Sequence, residues 1–371
     1  MNFSIENAAL KIGVSSERLE EWEAGDDAPT IAQLRKAAEV YKRPLAVFFL
    51  AEPPKKFDAL RDYRRLPATA KPTQSPGLSL AIRLARSQRE LLLEVAEDVG
   101  IELPSIEADF RGWRHSPQDF AEAARKLLGV SLGAQYSWRQ PYEALNNWVK
   151  ALEGIGILVF QTGDIELDEA RGFAIYERPL PVIVANAKDS PRGRVFTLLH
   201  ELAHILLRQS PLCDLHEERT GSTEEARTEV FCNEVAGNIL VPASALDSEV
   251  ESLKWGSKNP AESDIEALSK RFSVSHEVIV RRLLATGRVP LSFYQTKRDQ
   301  YLAAYRKESQ SEGGFVPPAT MRVRDLGKLY VRVMVTAYHQ ETITSADLSN
   351  YLGMKLKHLP RVEQLVFKGT E

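Results

Sequence analysis

His200-Glu201-Leu202-Ala203-His204 constrains this chain more than any other stretch, because it places two imidazoles where one metal ion can be gripped. The pentapeptide lies within Val195 to Leu207, an apolar run of helical length with neither Pro nor Gly. On a helix, residues four apart stack on one face, so both rings point the same way. Glu201 follows the first histidine directly, where a carboxylate can take a proton from metal-activated water. Two histidines on a buried helix also arise by chance, so the motif needs a third ligand nearby to carry weight.

A hydrolytic zinc site takes three protein ligands and keeps a fourth position open. Residues 223–242 read as a second helix, in which Val230, Phe231, Val235, Ala236, Ile239 and Leu240 recur at helical intervals. Pro242 ends it. Glu229 and Asn233 lie one turn apart, with Gly237 a turn further on. That spacing suits a Glu ligand, an amide that orients a ligating histidine, and a glycine that permits close helix contact. Glu225 and Glu234 compete for the third-ligand role; Glu225 shares the face of Glu229, whereas Glu234 is rotated well away. The expected site is therefore His200, His204 and Glu229 around one ion, Glu201 as catalytic carboxylate, and Asn233 behind them. Nitrogen-rich ligands with one carboxylate favour Zn²⁺ over manganese.

The HELAH helix, the later Glu-x-x-x-Asn helix ending in Leu240-Val241-Pro242, and the short strands before them resemble the ImmA/IrrE family of metallopeptidases. Ser15 to Pro54 resembles the Xre (Cro/cI-type) helix-turn-helix. The tail from Leu268 onward is similar to the C-terminal part of proteins that fuse both modules. The resemblance implies Zn²⁺ on His200, His204 and Glu229, with Glu201 as catalytic carboxylate. It also implies a regulator that cuts helix-turn-helix repressors or promotes their cutting; spacing alone points only to a metal hydrolase. The Xre pattern has a full helix before the position of Phe3, and few residues precede it here, so either the start codon is assigned too late or the module is truncated.

A chain of 371 residues is too long for one compact core and implies two or three domains. The expected fold is α+β and mostly helical. A helix-turn-helix module lacking its first helix occupies 1–54 and a helical linker region 55–150. A zincin-like metallopeptidase domain with a small sheet follows at 151–290, then a helical C-terminal unit at 291–371. Helices are expected at 6–12, 16–24, 30–41, 78–99, 117–128, 144–153, 263–272, 275–285, 323–340 and 345–351. Strands are expected at 156–161, 172–176 and 181–186. The strand at 172–176 is the candidate edge on which an extended substrate pairs.

No apolar run reaches transmembrane length, and the first residues carry no basic or apolar leader, so the protein is expected to be cytoplasmic. Two cysteines, Cys213 and Cys232, cannot form a disulfide framework. The net charge of -3 offers no global attraction to nucleic acid. The second helix of the N-terminal module is itself acidic, with Glu17, Glu20, Glu21 and Glu23 against Arg18, a pattern that repels phosphate. Basic residues gather instead at Arg61, Arg64, Arg65 and Lys71.

Cys213 is the candidate regulatory thiol, able to occupy the open metal position; Cys232 is expected in the core. His216, Arg171 and Tyr176 are polar and near the motif in sequence, and so are candidates for stabilising an oxyanion, with no spacing argument behind any of them. His115, His276, His339 and His358 read as structural. Two functions are weighed. One is a zinc endopeptidase with a regulatory role, cutting a partner protein such as a helix-turn-helix repressor encoded nearby. The other is a non-catalytic transcriptional regulator or antitoxin-type protein that binds DNA through the N-terminal module, or binds a toxin. An intact His-Glu-x-x-His favours the first, since a structural metal site has no need of Glu201. A homodimer through the C-terminal unit fits either.

Overall fold

A computed structural model describes residues 3–50, 75–106, 110, 116–207, 224–253, 259–308 and 316–367. The N-terminal module comprises α1 (Ile5–Ile12), α2 (Ser16–Ala24) and α3 (Ile31–Val40), closed by a 3-10 turn at Leu45–Phe49. Ser4, Ser15 and Thr30 cap the three helices through their side chains. Gly13 turns the chain between α1 and α2 at φ 83°, the left-handed conformation that favours glycine. Ala8, Ala9, Ile12, Leu19 and Ala37 form a small core, with Trp22 packed against it as expected of a core residue.

Among the described residues, seven helices between 76 and 252 build most of the body: α4 (Pro76–Asp98), α5 (Pro117–Leu128), α6 (Leu132–Ser137), α7 (Pro141–Gly154), α8 (Pro191–Leu206), α9 (Glu224–Leu240) and α10 (Ala243–Ser252). Three strands, β1 (Leu158–Thr162), β2 (Gly172–Ile175) and β3 (Val182–Asn186), lie between α7 and α8. Their order is β1-β3-β2, with β3 parallel to β1 and antiparallel to β2. The strand predicted as an edge is thus an edge.

Alternation along the strands decides what covers the sheet. Ile157, Val159, Ile183 and Ala185 enter a core shared with α5 and α7–α10. Leu158, Phe160, Val182, Val184, Phe173 and Ile175 enter a second core on the opposite face, built with α4 and the C-terminal helices. Helices α11 (Glu262–Phe272), α12 (His276–Ala285) and α13 (Leu291–Glu308) follow α10; the turn into α12 is Ser273, left-handed at φ 54°. The helices of 76–154, read as part of a linker region, are integral to both cores.

One helix expected at 323–340 is two, α14 (Pro318–Leu326) and α15 (Lys328–His339), broken at Gly327. The break has a physical cause. A side chain at Gly327 would meet Glu153 Oε1 at 2.5 Å and the Val159 carbonyl at 2.7 Å, and the backbone there has φ 73°. Helices α16 (Ser345–Leu352) and α17 (Leu359–Phe367) complete the second core. Among the described residues no helix is long and apolar enough to cross a membrane.

Candidate metal centre

Helix α8 carries the first two candidate ligands. Ser190 caps it by accepting from the Gly193 amide at 3.1 Å, and Asp189 Oδ1 accepts from the Ser190 amide at 2.7 Å. Gly193 has a reason: a Cβ there would lie 2.2 Å from Asp189 Oδ1. From Arg194 to Leu206 nearly every side chain is buried, so α8 is enclosed all round and runs between the sheet and α9. At Gly172 the edge strand comes so close to α8 that a Cβ would sit 2.5 Å from Thr197 Cγ2.

His200 and His204 stack as the i, i+4 spacing requires, with ring centroids 4.8 Å apart. Their Nε2 atoms are 3.1 Å from each other. Glu229, from α9, spans both: Oε2 is 3.3 Å from His200 Nε2 and Oε1 is 3.1 Å from His204 Nε2. Zinc bonds its nitrogen and oxygen ligands at about 2.0–2.2 Å, so two ligand atoms of a tetrahedral site are separated by roughly 3.3–3.5 Å. The donor set and its spacing fit one small divalent cation. Among the described residues this is the cluster of His, Cys, Asp or Glu able to hold one. Glu234 does not belong to it, and the side chain of Glu225 lies outside the described residues.

Burial opposes charge on Glu229, but hydrogen bonds from His200 and His204 outweigh it and hold the carboxyl down at about 2. Burial likewise pushes His204 down, but its hydrogen bonds with Cys232 and Glu229 carry it up to about 11. The cluster thus concentrates negative charge around the imidazoles, as a cation site must. Glu201 is buried beside them, near enough for its charge to act on both His204 and Cys232.

The far end of α9 is held by side chains from other helices. The last carbonyls of α9 have no partner within the helix. Arg125 donates to Ile239 O at 2.6 Å, Gln135 to Leu240 O at 2.9 Å, and Arg282 to Val241 O at 2.9 Å. Two of the three donors are cations at a helix C-terminus, where the dipole favours them. Gly237 makes room for the third, since a Cβ there would meet Arg282 Cδ at 3.1 Å. None of these three residues stands out in the sequence, because each reaches its carbonyl across a long stretch of chain.

Other expected residues fall in different places. Asn233 donates to the Glu229 backbone carbonyl at 2.8 Å, one turn back on the same helix, where the sequence suggested an imidazole. Arg171 pairs with the buried Asp189 at 3.2 Å, at the start of α8. Tyr176 is half-buried on the α8 side of the sheet, and its hydroxyl accepts from Arg178 at 3.1 Å. His276 lies 3.5 Å from Glu262 and His339 2.8 Å from Glu363, both away from the cluster. Cys213, His216, His115 and the basic run from Arg61 to Lys71 lie outside the described residues. Cys232 is fully buried, as expected.

Residues 153–284 match the family model of the IrrE N-terminal-like peptidase domain, and residues 1–48 match a helix-turn-helix model. The radiation response metalloprotease IrrE of Deinococcus deserti is 27% identical over 209 residues, covering 56% of this chain and 68% of that protein. A solved structure of a Mycobacterium tuberculosis transcriptional regulator is 20% identical with a TM-score of 0.31; the match covers 52% of this chain and 51% of that one, about half its length. The whole cluster thus lies inside the segment, residues 153–284, that is similar to the IrrE N-terminal-like peptidase domain, and it follows a segment similar to a helix-turn-helix.

Proposed function

We propose that the chain is a zinc-dependent endopeptidase with a regulatory role, which hydrolyses a peptide bond in a partner protein. The observation that carries this is the convergence of two imidazoles and a bidentate-ready carboxylate from separate helices, with Glu201 adjacent to the first ligand. His200, His204 and Glu229 would hold the ion. A zinc ion bound there supplies Lewis acidity, lowering the pKa of water from ~15.7 toward ~7. Glu201 takes the proton that the water releases as it attacks the scissile carbonyl, and passes it to the leaving amine. The edge strand β2 runs beside α8, so an extended substrate backbone can add to it and present its carbonyl to the site.

The relative's printed role as a radiation response metalloprotease supports a regulatory task. The helix-turn-helix module at the N-terminus supports a substrate or partner connected with transcription, with a helix-turn-helix repressor encoded nearby as the first to test. Co-expression of that repressor with the wild-type chain is expected to yield a discrete fragment. With Glu201→Gln, cleavage should fall by about 10²–10⁴-fold, the usual worth of a general acid–base group. Equal cleavage by both forms would contradict the mechanism.

A second reading, in which the chain regulates by binding alone, draws on the same N-terminal module. Its α2 exposes Glu17, Glu20, Glu21 and Glu23, with Asp26 and Asp27 just beyond. That face disfavours phosphate, so docking to DNA would fall to other parts of the module.

A further inference from the structure

The corners that follow α1, α11 and α16 turn in the same way. The chain passes there through Gly13, Ser273 and Gly353, all left-handed, with φ of 83°, 54° and 57°. The next residue donates its amide back to a small residue near the helix end: Val14 to Ala9 O at 3.0 Å, Val274 to Ser269 O at 3.0 Å, and Met354 to Ser349 O at 3.1 Å. A second helical element then starts at Ser16, His276 and Leu356 respectively. Within it Leu19 and Ile279 are buried at the same distance from the turn at which Leu359 packs half-buried on the core. Two helices joined by so short a turn form a helix-turn-helix corner, and the first of these lies in the segment similar to that family.

What the second element presents differs among these corners. Helix α2 exposes Glu17, Glu20, Glu21 and Glu23, which repel phosphate. Helix α12 is enclosed, with Val278, Ile279, Val280, Arg282 and Leu283 buried and α9, α11 and α13 packed against it. At the third corner Val362 and Val366 anchor α17 in the core, and helical spacing leaves Arg361 and Gln364 exposed on the other side. Lys355 and Lys357 are exposed just before, at and within the short 3-10 element Leu356–His358. The carboxylates closest in sequence are engaged: Glu363 lies 2.8 Å from His339, and Asp347 accepts from the Thr344 hydroxyl at 2.6 Å. Arg322 of α14 holds the corner, donating to Leu352 O at 2.8 Å where α16 ends. We propose that the α16–α17 corner is a DNA-binding element, in which Lys355, Lys357 and Arg361 meet the phosphates of a duplex and α17 faces its major groove. That groove admits a helix. The positive charge that α2 lacks is supplied here.

The test measures binding of the full chain to a fluorescent DNA duplex of about 20 base pairs, by anisotropy at several salt concentrations. Three phosphate contacts should make log K fall against log salt with a slope of about -2.7. Lys357→Ala and Arg361→Ala should each flatten that slope by about 1. Lys357→Glu and Arg361→Glu together should weaken binding by about 10-fold or more. Both side chains are exposed, so the variants should keep the fold, which circular dichroism checks. Lys11→Ala and Arg35→Ala, on the N-terminal module, should leave slope and affinity unchanged. A double variant that binds as tightly as wild type would overturn the proposal, and so would a slope carried by Lys11 and Arg35. A wild-type chain with no affinity for the duplex at about 50 mM salt would overturn it too. Binding to phosphatidylserine vesicles in its place would make the corner a surface for anionic lipid.

Discussion

Glu153 shows how one buried residue can make the stability of the whole chain depend on pH. Its carboxyl lies at the end of α7, where burial pushes its pKa up to about 7. The Leu329 amide, the charges of Arg332 and Lys328, and the Lys328 amide offset part of that rise. It thereby caps α15, whose N-cap residue Gly327 has no side chain to do so. A carboxyl raised from 4.5 holds a proton in the folded chain that the unfolded chain has released. Its stabilising contribution is complete below pH 4.5 and is lost as the pH rises through about 7. The loss is on the order of 3 kcal/mol. Chemical denaturation at pH 5 and pH 8 should show a larger drop for wild type than for Glu153→Gln. Identical drops would mean that Glu153 does not titrate in this window.

At the scale of elements, α9 is the piece on which the site depends, and its C-terminal carbonyls are held by side chains from α5, α6 and α12. Arg282→Leu would leave Val241 O and Asn238 Oδ1 without their donor in a buried place. The expected cost is about 2–4 kcal/mol by denaturation, with weaker zinc binding as α9 loosens. A variant as stable as wild type would show that α9 is held by packing alone. Helix α9 also marks how far the sequence could be read. Its span, its buried face and Glu229 follow from a local 3.6-residue period, as do both histidines of α8. The donors at its end do not: Arg125 reaches Ile239 across 114 residues, and an arginine in an amphipathic helix looks like any solvated one. Cys232 reads as a core residue from the same period, and it is fully buried. The split at Gly327 was missed for a related reason. The apolar rhythm runs through it, and only the carboxyl and carbonyl packed against that glycine require the break.

For the molecule as a whole, the sheet is the organising layer. One face supports the metal helix and the other is closed by α4 and α14–α17. β1, β2 and β3 are readable in the sequence as three short strands, and β2, the candidate edge, lies at an edge. What fills the second face was not readable, because residues 78–99 and 323–367 are ordinary amphipathic helices whose partners lie far away in sequence. The catalytic plan depends on this scaffold only through α8 and α9, which bring the two histidines and Glu229 within 3.1–3.3 Å of one another. The most direct test is therefore the metal content of the purified full chain after zinc loading and dialysis. Wild type and Glu201→Gln should each retain one zinc per chain, while His204→Ala and Glu229→Ala retain none. Zinc held equally by all four forms, or by none of them, would contradict the assignment of His200, His204 and Glu229 as the metal ligands.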